Sequence, residues 1–299
     1  MTAGHTVQAD EAADPARDGY VDAAGEWAAG PMLVYQPLAH HLVARCPLPL
    51  HGALVLDAGA GTGAATTALL ERGAMVVAAD LQRDMLGRLS AGDAVRAVAD
   101  VAALPIRSCA VDAAVAAFVL NHLARPWTAL AELRRVVRPG GAVLASCFSL
   151  RRSAAKNTVD ETAATFGWVA PRWYAELQTR AAAIGTVARL SAAASRAGLV
   201  NVTVSQTEVD LGLDDPDLVV RYRLGMPQLA PFVRTLSPQR RRDLVGAVTD
   251  ALDAAHDRLR PAVLELVARI SEDEQPPERA ASPHGPRHAG SSGSLIRAR

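Results

Sequence analysis

A glycine-rich turn directly after the first apolar strand is the segment of this sequence best suited to hold a ligand. Residues 55–63 read Val-Leu-Asp-Ala-Gly-Ala-Gly-Thr-Gly, so a glycine stands at every second position after Ala58. Glycine lets the backbone approach a ligand closely, and the N-terminus of the next helix offers unpaired N–H groups. An ordinary tight turn needs fewer glycines, so the pattern predicts a binding site.

A carboxylate, Asp80, ends the next apolar run at residues 75–79. It follows the glycines by roughly 20 residues, the distance at which an acidic side chain accepts hydrogen bonds from ribose hydroxyls. Gly59, Gly61 and Ala64 also satisfy the G-x-G-x-x-A pattern of nicotinamide-binding folds. These features predict a cofactor that contains a ribose, and they leave the class of that cofactor open.

Apolar runs alternate with helical segments around these residues, and the alternation predicts the elements that position them. An α/β fold follows, with a doubly wound, mostly parallel sheet covered by helices on both faces. We predict helices at 63–71, 83–89, 126–137 and 187–197. We predict seven strands, at 53–56, 75–79, 94–98, 111–119, 142–148, 199–209 and 262–270, with Pro139-Gly140-Gly141 as a break before the fifth.

Composition excludes several classes of function. The chain has 299 residues with 31 basic and 31 acidic side chains, and Lys156 is its only lysine. A surface that tracks phosphates needs a basic excess, so we expect no nucleic-acid partner. Three separated cysteines predict neither a disulfide framework nor a metal site, and they favour a cytoplasmic location. The longest apolar run, 113–120, is too short to span a membrane.

The segments divide as follows. We expect disordered tails at 1–18 and 271–299, which are polar and rich in charge, Pro, Ser and Gly. Between them we predict a helical cap at 19–50, a cofactor-binding core at 51–149, a lid or acceptor-binding insertion at 150–185, and the rest of the sheet at 186–270 with a second cap insertion at about 210–260.

Five ordered stretches, at 54–63, 76–86, 98–106, 109–123 and 130–149, carry a family resemblance. Together they resemble the class I S-adenosylmethionine-dependent methyltransferases, in particular the small-molecule branch often called type 11. The resemblance implies a Rossmann-like methyltransferase fold, S-adenosyl-L-methionine as cofactor and a small-molecule acceptor. Leu120-Asn121-His122-Leu123 departs from the N-P-P-[YF] type of enzymes that methylate exocyclic amines of bases, which argues against nucleic-acid substrates.

The same resemblance implies which residues hold the cofactor. The glycine turn and Asp57 would surround its amino-acid end, Asp80 its ribose, and Leu81, Met85, Asp100 and Val101 its adenine. Phe118 would border the methyl group. The complete predicted set is Asp57, Gly59, Ala60, Gly61, Gly63, Asp80, Leu81, Met85, Asp100, Val101, Phe118 and Leu123.

Methyl transfer requires alignment of the reacting atoms and, for some nucleophiles, removal of a proton. His122, just after the fourth strand, is the first candidate for the general base. It equally suits a role in shaping the pocket. Tyr20, Glu26, Tyr35 and the His40-His41 pair, all in the leading cap, are further candidates.

Four aromatic residues cluster in the insertion after the fifth strand, namely Phe166, Trp168, Trp173 and Tyr174. Large aromatic side chains shape apolar pockets and exclude water, so this cluster predicts part of a lid over the acceptor. A small satellite core under a long connection is the alternative interpretation.

The sequence thus predicts methyl transfer from S-adenosylmethionine to a carbon, nitrogen or oxygen of a small molecule, in specialised metabolism, by a monomer or homodimer. One alternative is an NAD(P)-dependent oxidoreductase built on the same glycine turn. Another is a protein that keeps the fold and cofactor but performs a different task, such as cyclisation or partner binding.

Overall fold

Seven strands form one sheet in the computed structural model, which describes residues 20, 24–89, 92, 94–151, 153–211, 215–256 and 259–273. The predicted tail at 1–18 and all but three residues of the tail at 271–299 lie outside the described residues. The strands are β1 Leu54–Ala58, β2 Met75–Asp80, β3 Val95–Val98, β4 Val111–Ala117, β5 Val137–Phe148, β6 Val202–Glu208 and β7 Ala262–Arg269.

The strand order is β3-β2-β1-β4-β5-β7-β6. Strands β1 to β5 are parallel to one another, whereas β7 runs antiparallel to both β5 and β6. The predicted α/β fold with a mostly parallel, doubly wound sheet is therefore confirmed. From β1 the chain continues to β2 and β3 on one side of the sheet, and it then crosses over to β4 on the other side of β1. Such a point of reversal opens a crevice at the carboxyl ends of the strands.

Most strands begin or end one to three residues from the predicted positions, and the predictions for β1 and β5 are wrong for identifiable reasons. Strand β1 includes Asp57 and ends at Ala58, because its pairing with β2 continues beyond the apolar run. Strand β5 begins at Val137 and runs through the Pro-Gly-Gly segment that we predicted as a break. The register against β4 shifts between Val111 and Ala113, and Gly141 fits there because an added Cβ would lie 2.5 Å from the Asp112 carbonyl oxygen.

Helices cover both faces of the sheet and form a further layer at its carboxyl edge. They are α1 Ala24–Ala29, α2 Met32–Ala44, α3 Ala64–Leu70, α4 Arg83–Gly87, α5 Pro126–Val136, α6 Ala154–Thr165, α7 Arg172–Ala182, α8 Val187–Arg196, α9 Pro216–Leu224, α10 Ala230–Thr235 and α11 Pro238–Ala255, with a short 3-10 helix at Leu120–His122.

Three apolar clusters hold these layers together. Helices α5 and α8 bury Leu130 and Leu190 against one face of the sheet, and α2 and α3 bury Leu42 and Leu69 against the other. The third cluster joins α2 to α6, α9 and α11 of the two insertions. Residues from the leading cap and from both insertions therefore share one core beside the crevice.

Within the described ranges, no helix has the length and apolar character needed to cross a membrane. The same residues contain no group of His, Cys, Asp and Glu side chains arranged to hold a metal ion.

Candidate active site

A cavity of about 370 Å³ lies at the carboxyl ends of β1, β2 and β4, within the usual range of ligand sites. Strand-end loops supply polar groups to its wall, and the leading cap supplies aromatic rings. The residues that line it are Tyr20, Trp27, Met32, Tyr35, Asp57, Gly59, Ala60, Gly61, Thr62, Ala64, Ala65, Asp80, Leu81, Gln82, Met85, Ala99, Asp100, Val101, Ala102, Ala117, Phe118, Val119, His122, Leu123, Ala124, Arg125 and Thr128.

The glycine turn is shaped for close approach. Gly59 has a φ of +75°, and an added Cβ would lie 2.5 Å from Cγ2 of Val119. Gly61 has a φ of +56°, but no atom lies within 4 Å of its added Cβ. That space belongs to the cavity, so the backbone of Gly61 is open to a ligand. Gly63, with a φ of +99°, instead precedes α3 and packs near Leu89, away from the cavity wall.

Asp57 is a fully buried carboxyl group at the base of this turn. Burial, with a smaller contribution from the charge of Asp80, raises its pKa to about 7 although a 2.6 Å hydrogen bond from the Thr66 hydroxyl opposes the rise. Its Oδ1 atom is buried and has no hydrogen-bond partner among the described residues, and the same holds for the hydroxyl of Thr62. Two unused polar atoms thus lie at the polar end of the cavity.

Asp80 connects β2 to the glycine turn. Its Oδ2 atom accepts a hydrogen bond from the Gly61 amide at 2.8 Å, and Oδ1 accepts one from the Gln82 amide at 2.8 Å. Burial raises its pKa, although these two amides counteract the rise. Asp100 similarly accepts a 2.8 Å hydrogen bond from the Ala102 amide. Both carboxylates are therefore fixed by backbone groups while they line the cavity.

The other end of the cavity is aromatic. The rings of Tyr20 and His122 meet edge to face with centroids 5.1 Å apart, and Tyr20 also contacts Trp27 at 5.6 Å. Tyr35 contacts Phe118 at 5.1 Å. Phe118 has a φ of +57°, an uncommon conformation for a residue with a side chain. This strained backbone lies at the carboxyl end of β4, where Phe118 contributes to the cavity wall.

Three of the candidates for the general base line the cavity, namely Tyr20, Tyr35 and His122. His122 ends the short 3-10 helix, and its carbonyl oxygen accepts a 3.0 Å hydrogen bond from Arg180. Glu26 lies away from the cavity wall and forms an ion pair with Arg234 at 2.5 Å.

The His40-His41 pair lies elsewhere. His40 contacts Glu71 at 2.7 Å, and His41 contacts the buried Glu265 at 2.8 Å.

None of the four aromatic residues predicted to form a lid lines the cavity. Trp168 is buried in the cluster shared by the insertions and donates a 3.0 Å hydrogen bond to the Gln228 carbonyl. Phe166 packs against the same cluster. Trp173 lies one ring behind the wall, 6.3 Å from Tyr20, and the Tyr174 hydroxyl accepts a 2.9 Å hydrogen bond from Arg223.

The structure also adds residues that we did not predict. Trp27 and Met32 line the aromatic end of the cavity. Behind it lies a polar group of Lys156, Asp160 and Arg223. The only sequence signal for this group is that Lys156 is the sole lysine of the chain.

Residues 56–145 match a family model described as a methyltransferase domain. Curated relatives align over a similar length of chain. A demethylmenaquinone methyltransferase of Clavibacter sepedonicus is 40% identical over 110 residues, which are 35% of this chain and 45% of that protein. An uncharacterised methyltransferase of Mycobacterium bovis is 39% identical over 124 residues, which are 41% of this chain and 46% of that protein. The chain thus spans less than half the length of these relatives.

Solved structures share the fold at lower identity. A phosphoethanolamine N-methyltransferase of Haemonchus contortus, solved with S-adenosyl-L-methionine, is 15% identical with a TM-score of 0.57, over 87% of this chain and 60% of that one. A methyltransferase candidate from an antibiotic biosynthesis pathway of Anabaena variabilis is 15% identical with a TM-score of 0.56, over 80% and 99% of the two chains.

The matched residues 56–145 cover the polar end of the cavity and part of its aromatic end. The glycine turn, Asp80, Asp100 and Phe118 all lie inside the matched residues 56–145. Tyr20, Trp27 and Tyr35 lie before that range, and the insertions that support them lie after it. The resemblance drawn from five sequence stretches is confirmed over residues 56–145.

Proposed function

Because residues 56–145 are a methyltransferase domain of the class I, S-adenosylmethionine-dependent type, we propose that the chain transfers a methyl group from S-adenosyl-L-methionine to a small-molecule acceptor. The observation that carries this proposal is one continuous cavity with two different ends. At one end the glycine turn meets two fixed carboxylates, and at the other Tyr20, Tyr35 and Phe118 form an apolar wall. A polar cofactor and an apolar acceptor fit such a cavity together.

The residues at the polar end suit this cofactor. The space beside Gly61 accommodates a ligand that a larger side chain would displace. Asp80 is placed to accept hydrogen bonds from the ribose hydroxyls, and Asp100 from the adenine amino group. Leu81, Met85 and Val101 supply apolar contacts for the adenine ring. When bound, the cofactor supplies a methyl group activated on a sulfonium centre.

The chain's own residues have two tasks at the aromatic end. Tyr35 and Phe118 exclude water and orient the acceptor, which brings the nucleophile into line with the methyl group. His122 and Tyr20 lie in ring contact at the same end. The imidazole of His122 can accept a proton from an acceptor that carries one, whereas the Tyr20 hydroxyl, whose pKa is raised by burial, stays neutral and can only relay it. His122 is our preferred general base because an imidazole takes up protons at neutral pH.

We further propose that the acceptor belongs to specialised metabolism rather than to quinone synthesis. The support is that Tyr20, Trp27 and Tyr35, three of the aromatic residues at the acceptor end, lie outside the range that matches the family model, whereas Phe118 and His122 lie inside it. An acceptor shared with the curated relatives would be expected to use shared walls. To test this assignment, the protein is incubated with S-adenosyl-L-methionine and a metabolite extract of its source organism, and the methylated product is identified.

Calorimetry with S-adenosylhomocysteine, NAD and NADP tests the cofactor. We expect saturable binding of S-adenosylhomocysteine alone, and binding of either nicotinamide cofactor in its place would overturn the proposal. Transfer of an isotope-labelled methyl group to acceptors in a metabolite extract then tests the activity. Tight cofactor binding without any labelled product would favour a protein that keeps the fold and has a different task.

A further inference from the structure

Two cations lie behind the aromatic end of the cavity, the buried Arg223 and the partly buried Lys156. Eight of the chain's twelve Phe, Trp and Tyr residues form one network of ring contacts that starts at the cavity wall and continues behind it. Phe148 connects the two layers, since its ring lies 4.8 Å from Phe118 and 5.7 Å from Tyr35. The ammonium nitrogen of Lys156 lies 3.9 Å from the centroid of Phe148, one ring behind the wall.

The charges in this region do not cancel. Arg223 is buried and forms two hydrogen bonds with the carboxylate of Asp160, at 2.8 and 2.5 Å, so these two charges neutralise each other. The side chain of Lys156 makes no hydrogen bond or ion pair with any residue that the structure describes; its close neighbours are the rings of Phe148 and Tyr222. One positive charge therefore remains without a carboxylate bound to it.

An ammonium that is largely removed from water and has no counter-ion is unfavourable, and Lys156 is only partly exposed. Desolvation and, to a smaller extent, Arg223 lower the pKa of Lys156 to about 8, while Tyr174 and Asp160 oppose the change. Since pH 7 lies below that value, the side chain still carries its charge at neutral pH. A negative charge brought close to it by a ligand would relieve the cost of burying the ammonium.

The cavity wall has no carboxylate suited to a cationic ligand at this end. Within the described lining, the acidic residues are Asp57, Asp80 and Asp100, and all three belong to the end that contains the glycine turn. Arg223 is close enough to oppose part of the rise that burial causes in the pKa of Tyr20 and Tyr35. The field at the aromatic wall is therefore positive, which disfavours an ammonium and favours an anion.

On the basis of the proposed methyltransferase function, we propose that the acceptor is a planar aromatic compound bound as an oxyanion, a phenolate or enolate, against Tyr20, Tyr35 and Phe118. Lys156 supplies the compensating charge from behind Phe148 and acts as a positioning residue. The rings select a flat molecule by stacking and edge contacts. An acceptor that arrives as an anion is already deprotonated, so the nucleophile is oxygen or the carbon of an enolate rather than a protonated amine.

Three nitro-aromatic probes of similar size test the charge preference at pH 7.5 in the presence of S-adenosylhomocysteine: 4-nitrophenol, 4-nitrotoluene and 4-nitrobenzylamine. We expect the phenolate to bind about tenfold more tightly than the neutral probe, and the ammonium to bind least. Absorbance reports the ionisation of 4-nitrophenol, and the pKa of the probe bound to the wild-type protein should be lower than that of the free probe. Absence of this shift, or tighter binding of the ammonium, overturns the proposal.

Variants locate the charge. Lys156→Met should reduce phenolate affinity about tenfold without changing the affinity for 4-nitrotoluene, and Lys156→Arg should restore the preference. Arg242→Met, which removes an exposed charge on α11, is the control. An unchanged ratio of the two affinities in Lys156→Met overturns the role of Lys156. Failure of the wild-type protein to bind S-adenosylhomocysteine counts against the proposed function instead, so the two failures are distinguishable.

Discussion

The carboxylate of Asp80 accepts a hydrogen bond from the backbone amide of Gly61, 19 positions before it in the chain. This contact ties the end of β2 to the turn that follows β1, and it holds the carboxylate at the cavity wall. Asp80 therefore has a structural role beside its proposed role in binding the ribose. Experiments on this residue must separate the two.

Substitution of Asp80 by Asn separates them in part, because the amide oxygen can still accept from the Gly61 amide, while the charge and the acceptor for the Gln82 amide are lost. We expect the affinity for S-adenosylhomocysteine to fall by roughly 1.5 to 3 kcal/mol, the loss of a charge-assisted hydrogen bond. Calorimetry measures the affinity, and thermal unfolding checks the turn. The exposed Asp84→Asn provides the control. Unchanged affinity in Asp80→Asn would remove Asp80 from the ribose site.

Two glycine variants test whether the space beside the turn belongs to the cofactor. Gly61 and Gly52 both have positive φ and open space around an added Cβ, but only Gly61 lines the cavity. Substitution by Ala should cost each about 1 kcal/mol of stability or more. Only Gly61→Ala should also weaken S-adenosylhomocysteine binding. Equal cofactor affinity in the two variants would contradict the placement of the ligand.

The buried carboxyl of Asp57 predicts a pH dependence of stability. Its pKa is raised to about 7 in the folded protein, above the value of about 3.9 expected in the unfolded chain. The stability that it contributes is therefore fully present below pH 4 and is lost as the pH rises through 7. Asp57→Asn, which stays neutral, should be more stable than the wild type at pH 8, by about 3 to 4 kcal/mol at most.

Urea denaturation without cofactor at pH 4 to 8 measures this difference. At pH 4 the two proteins should differ little, because both carry a neutral group that can accept the Thr66 hydroxyl. Parallel pH profiles for the wild type and Asp57→Asn would refute the raised pKa. Asp84→Asn again controls for the loss of a surface charge.

His122 is predicted to take part in turnover rather than in cofactor binding. Once the acceptor is identified, His122→Ala should lower kcat at least 10²-fold, about the lower limit for a positioned base, with S-adenosylhomocysteine affinity preserved. His122→Gln retains hydrogen bonding without basicity. If this variant keeps a near-normal kcat and an unchanged acidic limb, His122 orients the acceptor only. A phenolate or enolate acceptor would also reduce the dependence on His122.

Two tryptophans in the same insertion should respond differently to truncation. Trp168 is buried, so Trp168→Ala should lower the free energy of unfolding by about 3 to 5 kcal/mol. Trp173 lies against Tyr20 at the cavity wall, and Trp173→Ala should raise the KM for the acceptor with little effect on cofactor affinity. Equal loss of stability in both variants would assign the whole cluster to packing.

All seven predicted strands exist. The central strands β1, β2, β4 and β5 were predictable because buried parallel strands require continuous apolar runs, whereas β3 and β6 lie at the two edges of the sheet and are only partly buried. The polar end of the cavity was predictable for a related reason. The glycine turn, Asp80 and Asp100 follow such runs, and the carboxyl ends of parallel strands converge. The predicted strand ends were wrong where backbone pairing extends beyond the apolar run, as at Asp57, or continues through glycines, as at the start of β5.

The aromatic end could not be predicted in this way. Tyr35 comes from the leading cap, Lys156 from the first insertion and Tyr222 from the second. No local pattern brings them together, since their contacts depend on how three separate helices pack. The four neighbouring aromatics at 166–174 gave a stronger sequence signal, but Trp168 satisfies its indole N–H inside that packing and not at the cavity.

The position of β7 also has a consequence for synthesis of the protein. This strand lies between β5 and β6 although it follows both in the chain. Strands β1 to β5 can pair as soon as they leave the ribosome, whereas β6 emerges before the strand that connects it to the sheet. Until residues 262–269 appear, β5 and β6 expose unpaired edges, which invite aggregation. The nascent chain can therefore assemble its glycine-turn half early, and its last step is the insertion of a strand between two that are already made.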